Sequence, residues 1–398
     1  MSPDLALQGG SPVRSKLLPY GRQQIDEEEV ASVIKVLRSE YLTTGPMIEA
    51  FEQAFANYVG AEFAVAVSSG TAALHAAVHS LDMQPSEEVI VPAMTFASTS
   101  NCVVFEGATP VFSDVDPTTL LIDPNKVEEL INPRTRAIIA VDYAGQPCDY
   151  GVLTSLAEKN GLTLIADACH SLGARYESRK VGSLAELNTF SLHPVKHITT
   201  GEGGLVTTNN SELASKMRRF RNHGIDQDHR QRSETGSWFY EMIDLGYNYR
   251  LTDFQSALGL TQLGKLEKGL KIRRRIAREY DAAFADLTSI EPLLTHTNRT
   301  HSYHLYVVRL DPAQLACDRS EIFAALRAEG IGVNVHYIPV HLHPYYRTNF
   351  STSAGLCPAA EEAYQRIISL PIFPSMSDTD VNDVIAAVKK VIGAYQIQ

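Results

Sequence analysis

A large α/β domain built on a mostly parallel sheet, followed by a smaller C-terminal α+β domain, is the architecture this sequence predicts, on three observations. Short apolar runs at 63–67, 89–91, 110–112, 136–141 and 162–166 alternate with helical stretches. Strands separated by helices of about ten to fifteen residues form parallel sheets covered on both faces. Small or polar residues follow several of these runs, at Ser68-Ser69-Gly70-Thr71, Thr95-Phe96 and Asp167, where ligands of such sheets gather, beyond the carboxyl ends of the strands. Finally, 398 residues exceed the length at which a single core keeps growing, so a second, smaller unit is expected. We divide the chain into an arm at 1–24, a large domain at 25–250, and a linking helix with the small domain at 251–398.

The elements follow in order. Asp26 caps a helix reaching about Arg38, with Glu29 as its capping-box partner. Thr43-Thr44-Gly45-Pro46 breaks that helix and starts a second, which runs to about Tyr58; the break reads equally well as a turn or as a ligand loop. The apolar strand at 63–67 passes through Ser68-Ser69-Gly70-Thr71 into a helix, and free N–H groups at a helix start make a phosphate seat. The loop matches neither the Walker pattern nor GxGxxG. His75 and His79 stand four apart on this helix, but no third metal ligand is indicated, so a packing or surface role is expected.

After the strand-helix alternation, short apolar segments at 187–190 and 205–208 flank a polar, glycine-rich connection. A helix carrying Arg218, Arg219 and Arg221 follows, then a polar, mobile loop at 225–236. A long helical pattern from Thr252 to about Ala285 links the two domains, with Arg273-Arg274-Arg275 as a solvated face beside Glu279 and Asp281. Strands at 303–310 and 333–338 and helices at 320–329 and 378–395 complete the small domain. The segment His341 to Arg347 belongs to an interface or a cleft mouth.

The chemistry concentrates in Phe190-Ser191-Leu192-His193-Pro194-Val195-Lys196-His197-Ile198-Thr199-Thr200-Gly201-Glu202-Gly203-Gly204. One lysine stands among hydroxyls and glycines on a connection between buried strands, where glycine permits close backbone approach to a ligand. The preceding strand ends in Asp167-Ala168-Cys169-His170-Ser171. A lysine amine can form a Schiff base with an aldehyde cofactor, and a buried aspartate can hold a pyridine nitrogen protonated. A plain Asp–Lys salt bridge is the bland alternative. Phe96, at the same edge, is either core or the cover for one face of a flat ring.

Composition excludes several classes. A net charge of −11 opposes a general nucleic-acid surface. The five cysteines show neither a CxxC pair nor zinc spacing, which fits reduced thiols in a cytoplasmic enzyme. No targeting segment and no apolar run of about 18 residues is evident, so no membrane partner is expected.

Together, Ser68–Thr71, Pro92-Ala93-Met94-Thr95-Phe96, Asp167-Ala168-Cys169-His170-Ser171-Leu172-Gly173, the Phe190 to Gly204 stretch and Leu245-Gly246-Tyr247-Asn248-Tyr249-Arg250 resemble the DegT/DnrJ/EryC1/StrS family of sugar aminotransferases. The resemblance runs from about Tyr20 to the C-terminus. It implies the aspartate aminotransferase-like type I fold of pyridoxal phosphate-dependent transferases, with pyridoxal 5'-phosphate as cofactor. It further implies that Lys196 binds the cofactor covalently and works as base and acid, that Asp167 pairs with the pyridine nitrogen, that Phe96 stacks on the ring and that His170 lies near the ring or its O3′. Gly70, Thr71 and Ser191 would hold the phosphate, joined by Asn248 from the other subunit of a homodimer with shared sites. The lysine is retained here, whereas sugar C3-dehydratase relatives carry histidine at that position.

Within the family, the Phe190 to Gly204 stretch is closest to enzymes of pseudaminic acid biosynthesis. These move an amino group from L-glutamate to C4 of a UDP-linked 4-keto-6-deoxy-N-acetylhexosamine, UDP-2-acetamido-2,6-dideoxy-β-L-arabino-hexos-4-ulose. The alternatives are a 4-aminotransferase for a UDP-4-keto-pentose or a UDP-bacillosamine precursor, a 3-aminotransferase for a dTDP-keto-sugar, and a non-catalytic cofactor-binding regulator.

Overall fold

The computed structural model describes residues 5–227, 230, 232 and 236–397. Its central sheet has seven strands: β1 (Phe63–Val67), β2 (Glu88–Pro92), β3 (Thr109–Ser113), β4 (Thr135–Val141), β5 (Thr163–Asp167), β8 (Leu187–Ser191) and β9 (Gly204–Thr208). A two-stranded ribbon, β6 (Arg175–Tyr176) and β7 (Arg179–Lys180), lies between β5 and β8 in the chain. The sheet order is β1-β9-β8-β5-β4-β2-β3. The pairs from β8 to β3 are parallel, whereas β9 runs antiparallel to both of its neighbours. β2, β5 and β9 are buried along their whole length, as strands covered on both faces must be.

The chain's turn from β1 into the next helix is held by its own side chains. Ser69 caps the helix Gly70–His79 by accepting from the Ala72 amide. A side chain on Gly204, at the start of β9, would meet the Ser69 carbonyl at 2.3 Å, so only glycine lets the two strand ends close together. Ala72 to Val78 are all buried, which makes this a helix surrounded by core rather than an amphipathic one.

Beyond the central sheet, β10 (Ile290–Pro292), β12 (Tyr306–Leu310) and β13 (Ile367–Leu370) form a second, antiparallel sheet, while β11 (Arg299–Thr300) joins β6 and β7. The helix Asp253–Phe284 opens with a capping box between Thr252 and Gln255. It buries Leu263, Leu266 and Leu270 with the central-sheet core, and Ile276, Tyr280 and Phe284 in a second cluster around β12 and β13. The arm also enters that second cluster, through Leu5 and Leu18. Among the described residues no helix is long and apolar enough to cross a membrane.

The structure corrects some expectations and fills in others. Arg273 is not on a solvated face: it is 1% exposed and donates to the carbonyls of Tyr303 at 3.0 Å and Ile372 at 2.7 Å. Segment 333–338 alternates like a strand but makes only the bridge between Asn334 and Ser369, which leaves its side chains free to line a cavity. The strand expected from Tyr303 begins at Tyr306 because Tyr303 has a φ of 51°, outside extended backbone. The Thr43–Gly45 break is a docking turn: the amides of Gly45 and Met47 donate to Asp253 at 2.7 and 2.9 Å. His75 and His79 share the carboxylate of Glu106. His341 is buried against Glu361, and the helix Pro344–Asn349 after it reaches Asn101 through Tyr346. Residues 228, 229, 231 and 233–235 of the polar loop, and residues 1–4 of the arm, lie outside the described residues.

Candidate active site

At the carboxyl ends of β1, β2, β4, β5 and β8 lies a cavity of ≈ 530 Å³. Gly70, Thr71, Phe96, Asp167, His170, Ser191 and Lys196 all line it. Seven of the eight residues singled out in the sequence are therefore in one place. Asn248 is not among them: it is exposed and bridges to Asn222 outside the cavity.

Asp167 ends β5 with its side chain 5% exposed. Its Oδ2 accepts from the Thr99 hydroxyl at 2.7 Å and its Oδ1 from the Cys169 amide at 3.3 Å. It makes no ion pair with Lys196, so the bland salt-bridge reading fails. The Lys196 Nζ instead lies 3.3 Å from His304 Nε2. Burial pulls the lysine's pKa below its ordinary value, against the opposing pull of Cys169 and Asp167. An amine without a paired carboxylate, in a desolvated pocket, is poised as a nucleophile.

His170 follows Asp167 by one turn, and its Nε2 lies 3.0 Å from the Tyr337 hydroxyl. Burial, followed by the nearby Lys196, holds the pKa values of His170 and His304 well below the usual histidine range. Both rings are neutral near neutral pH. Their Nδ1 atoms are buried without a hydrogen-bond partner. Phe96 is 59% exposed even though it lines the cavity, and its ring lies 5.9 Å from that of Tyr337. It is therefore free to cover a flat ligand rather than committed to the core.

The opposite end of the cavity is shaped for an anion. A side chain on Gly70 would meet Ser191 Cβ at 2.8 Å, so glycine leaves a cradle between the helix start and the Ser191 hydroxyl. The amides of Gly70 and Thr71 open the helix there, where peptide dipoles favour negative charge. A phosphate seat, an unpaired amine and a buried carboxylate around an aromatic face match a phosphorylated pyridine aldehyde in size and chemistry.

Sequence reasoning missed Thr99, Tyr20, His304, His336 and Tyr337. Tyr20 comes from the arm, and the last three from the segments before β12 and β13. The polar and aromatic run His301-Ser302-Tyr303-His304 just before an apolar strand was the available signal. Tyr20 and Tyr337 stand next to prolines or apolar residues and carried none.

Residues 23–389 match the model of the DegT/DnrJ/EryC1/StrS aminotransferase family. The chain is 42% identical over 381 residues to the spore coat polysaccharide biosynthesis protein SpsC of Bacillus subtilis, covering 95% of this chain and 98% of that one. Among solved structures it resembles Helicobacter pylori PseC, an aminotransferase involved in the biosynthesis of pseudoaminic acid, with a TM-score of 0.88 at 33% identity, covering 96% of this chain and 100% of PseC. The PLP form of the sugar aminotransferase Spr1654 from Streptococcus pneumoniae, itself a putative assignment, superposes with a TM-score of 0.88 at 32% identity, over 94% of this chain and 98% of that one.

Proposed function

This chain belongs to the DegT/DnrJ/EryC1/StrS aminotransferase family, with its type I fold and pyridoxal phosphate cofactor, and from that premise we propose that it aminates a nucleotide-linked keto-sugar. The specific reading is transfer from L-glutamate to C4 of a UDP-linked 4-keto-6-deoxy-N-acetylhexosamine, as in pseudaminic acid biosynthesis. The observation that carries it is the likeness to PseC over 96% of this chain, together with the Phe190 to Gly204 stretch.

When bound, the cofactor supplies an electron sink for the carbon that loses or gains the amino group. Lys196 would hold the cofactor through its aldehyde, and its Nζ is the group that would carry a proton to and from that carbon. Asp167, oriented by Thr99, keeps the ring nitrogen protonated. Phe96 covers one ring face and His170 the neighbourhood of its hydroxyl. Gly70, Thr71 and Ser191 would seat the phosphate, and Asn248 of the partner subunit would complete that seat in a homodimer. Reduced cysteines support a cytoplasmic location.

The SpsC likeness favours a second reading, a keto-sugar nucleotide feeding a surface polysaccharide. Incubating the protein with L-glutamate and a panel of UDP- and dTDP-keto-sugars, with mass detection and NMR of the amino product, decides between them. Product from the UDP-hexos-4-ulose alone supports the specific reading. Amination confined to dTDP-sugars, or at C3, overturns it.

A further inference from the structure

Among the described residues Lys196 has one side-chain neighbour at hydrogen-bonding distance, a histidine 108 residues later in the chain. His304 is 5% exposed and presents Nε2 to the lysine Nζ at 3.3 Å. Its Nδ1 has no hydrogen-bond partner among the described residues. A histidine filling space in a core is expected to have both nitrogens satisfied, because each buried polar atom left unpaired costs stability. Here half of the ring's hydrogen-bonding capacity is forgone while the other half is aimed at the reactive amine.

The backbone around His304 is held firmly. The Ser302 and Leu305 amides donate to the carbonyls of Gly145 and Ala144 at 2.9 and 3.1 Å. The buried Arg273 donates to the carbonyl of the preceding Tyr303. The ring packs 4.3 Å from that of His170. A neutral imidazole can either donate to an amine or accept from it. In both cases it fixes the amine without supplying a countercharge, unlike a carboxylate.

We propose that His304 is a positioning residue for Lys196, holding the free amine in place through Nε2 so that it meets the cofactor aldehyde in one orientation. This rests on Lys196 being the cofactor-binding lysine, which borohydride reduction and peptide mapping establish separately. No sugar substrate enters the test, so its failure leaves the proposed substrate class untouched.

The test compares full-length protein stripped of cofactor with its His304→Gln, His304→Asn and His304→Phe variants. The readout is the rate at which added pyridoxal 5'-phosphate is captured, followed by its visible absorbance. Glutamine places an amide near the Nε2 position and asparagine near Nδ1. His304→Gln should capture cofactor within about threefold of the parent rate, whereas His304→Asn and His304→Phe should be slower by about tenfold, the scale of one lost hydrogen bond. Capture at the parent rate by His304→Asn or His304→Phe overturns the proposal, and so does a His304→Gln variant as slow as His304→Asn. The Gln and Asn variants decide the matter even if His304→Phe fails to fold.

Discussion

The Thr99 hydroxyl donates to Oδ2 of Asp167 at 2.7 Å and lies 2.8 Å from the Thr95 hydroxyl. Because its hydroxyl donates to the carboxylate, Thr99 accepts from Thr95, so two hydroxyls, one on the loop after β2 and one in the first turn of the helix Ser98–Phe105, fix the carboxylate's orientation. Asp167→Asn should leave the fold intact and cofactor bound, yet reduce amino transfer by about a hundredfold or more, since a neutral amide cannot balance a protonated ring nitrogen. Thr99→Val should cost about tenfold, through lost orientation. Near-normal turnover by Asp167→Asn with cofactor bound would make the carboxylate structural.

Lys196→Ala should retain pyridoxal phosphate only non-covalently and lose turnover. Borohydride reduction of the parent should place the cofactor on Lys196 in peptide maps. A label on Lys180 or Lys216 would end the assignment.

Asn248 lies outside the cavity of its own chain, which sets up a complementation experiment for the proposed dimer. If it serves the partner's phosphate seat, a mixed dimer of Asn248→Ala and Lys196→Ala subunits has one site with both lesions and one with neither. Mixing two nearly inactive parents under confirmed subunit exchange should then restore activity. A failure to recover overturns the shared-site reading.

Replacing Arg273 with leucine leaves the carbonyls of Tyr303 and Ile372 buried and unpaired. The loss should be about 3 kcal/mol or more in urea denaturation. A change of less than about 1 kcal/mol would mean that water or a shifted backbone takes over these acceptors.

The Glu106 cluster makes stability depend on pH. Burial raises the pKa of Glu106, but hydrogen bonds from His75 and His79 outweigh it and bring the carboxyl to about 2 from 4.5. For His79, burial is likewise outweighed by Glu106 and Asp244, and its pKa rises above 6.5. The Glu106 contribution is present above pH 4.5 and is lost as pH falls toward about 2, whereas the His79 contribution is present below 6.5 and is lost as pH rises through the raised value. The stability gap between the parent and Glu106→Gln should therefore be widest between about pH 4.5 and 6.5 and narrow on both sides. A gap that stays flat from pH 4 to 9 would contradict this.

The parts legible in the sequence are those where one short stretch holds both the strand and the chemistry. Apolar runs ending in Ser68-Ser69-Gly70-Thr71, Asp167 and Ser191 announced their own position at a sheet edge, because burial pattern and polar ending are local. The arginine run shows the limit: nothing in three successive arginines distinguishes Arg273 and Arg274, which meet carbonyls on β12's approach, from Arg275, which pairs with Asp378. Segment 333–338 has the alternation of a strand, but the sequence does not encode the absence of a partner along most of it. For His304 the polar run before β12 marks the segment, but the partner that gives the residue its meaning is a lysine elsewhere in the chain.

The cavity draws Tyr20 from the arm, Lys196 and Asp167 from the central sheet, and His304 and Tyr337 from beyond residue 300. As the chain leaves the ribosome, a nascent protein of 250 residues already contains every strand of the central sheet but no complete cavity. Domains form broadly in the order of synthesis, and contacts distant in sequence form late. Cofactor capture with native geometry therefore has to wait until the chain has been made past Tyr337, long after the central sheet's last strand.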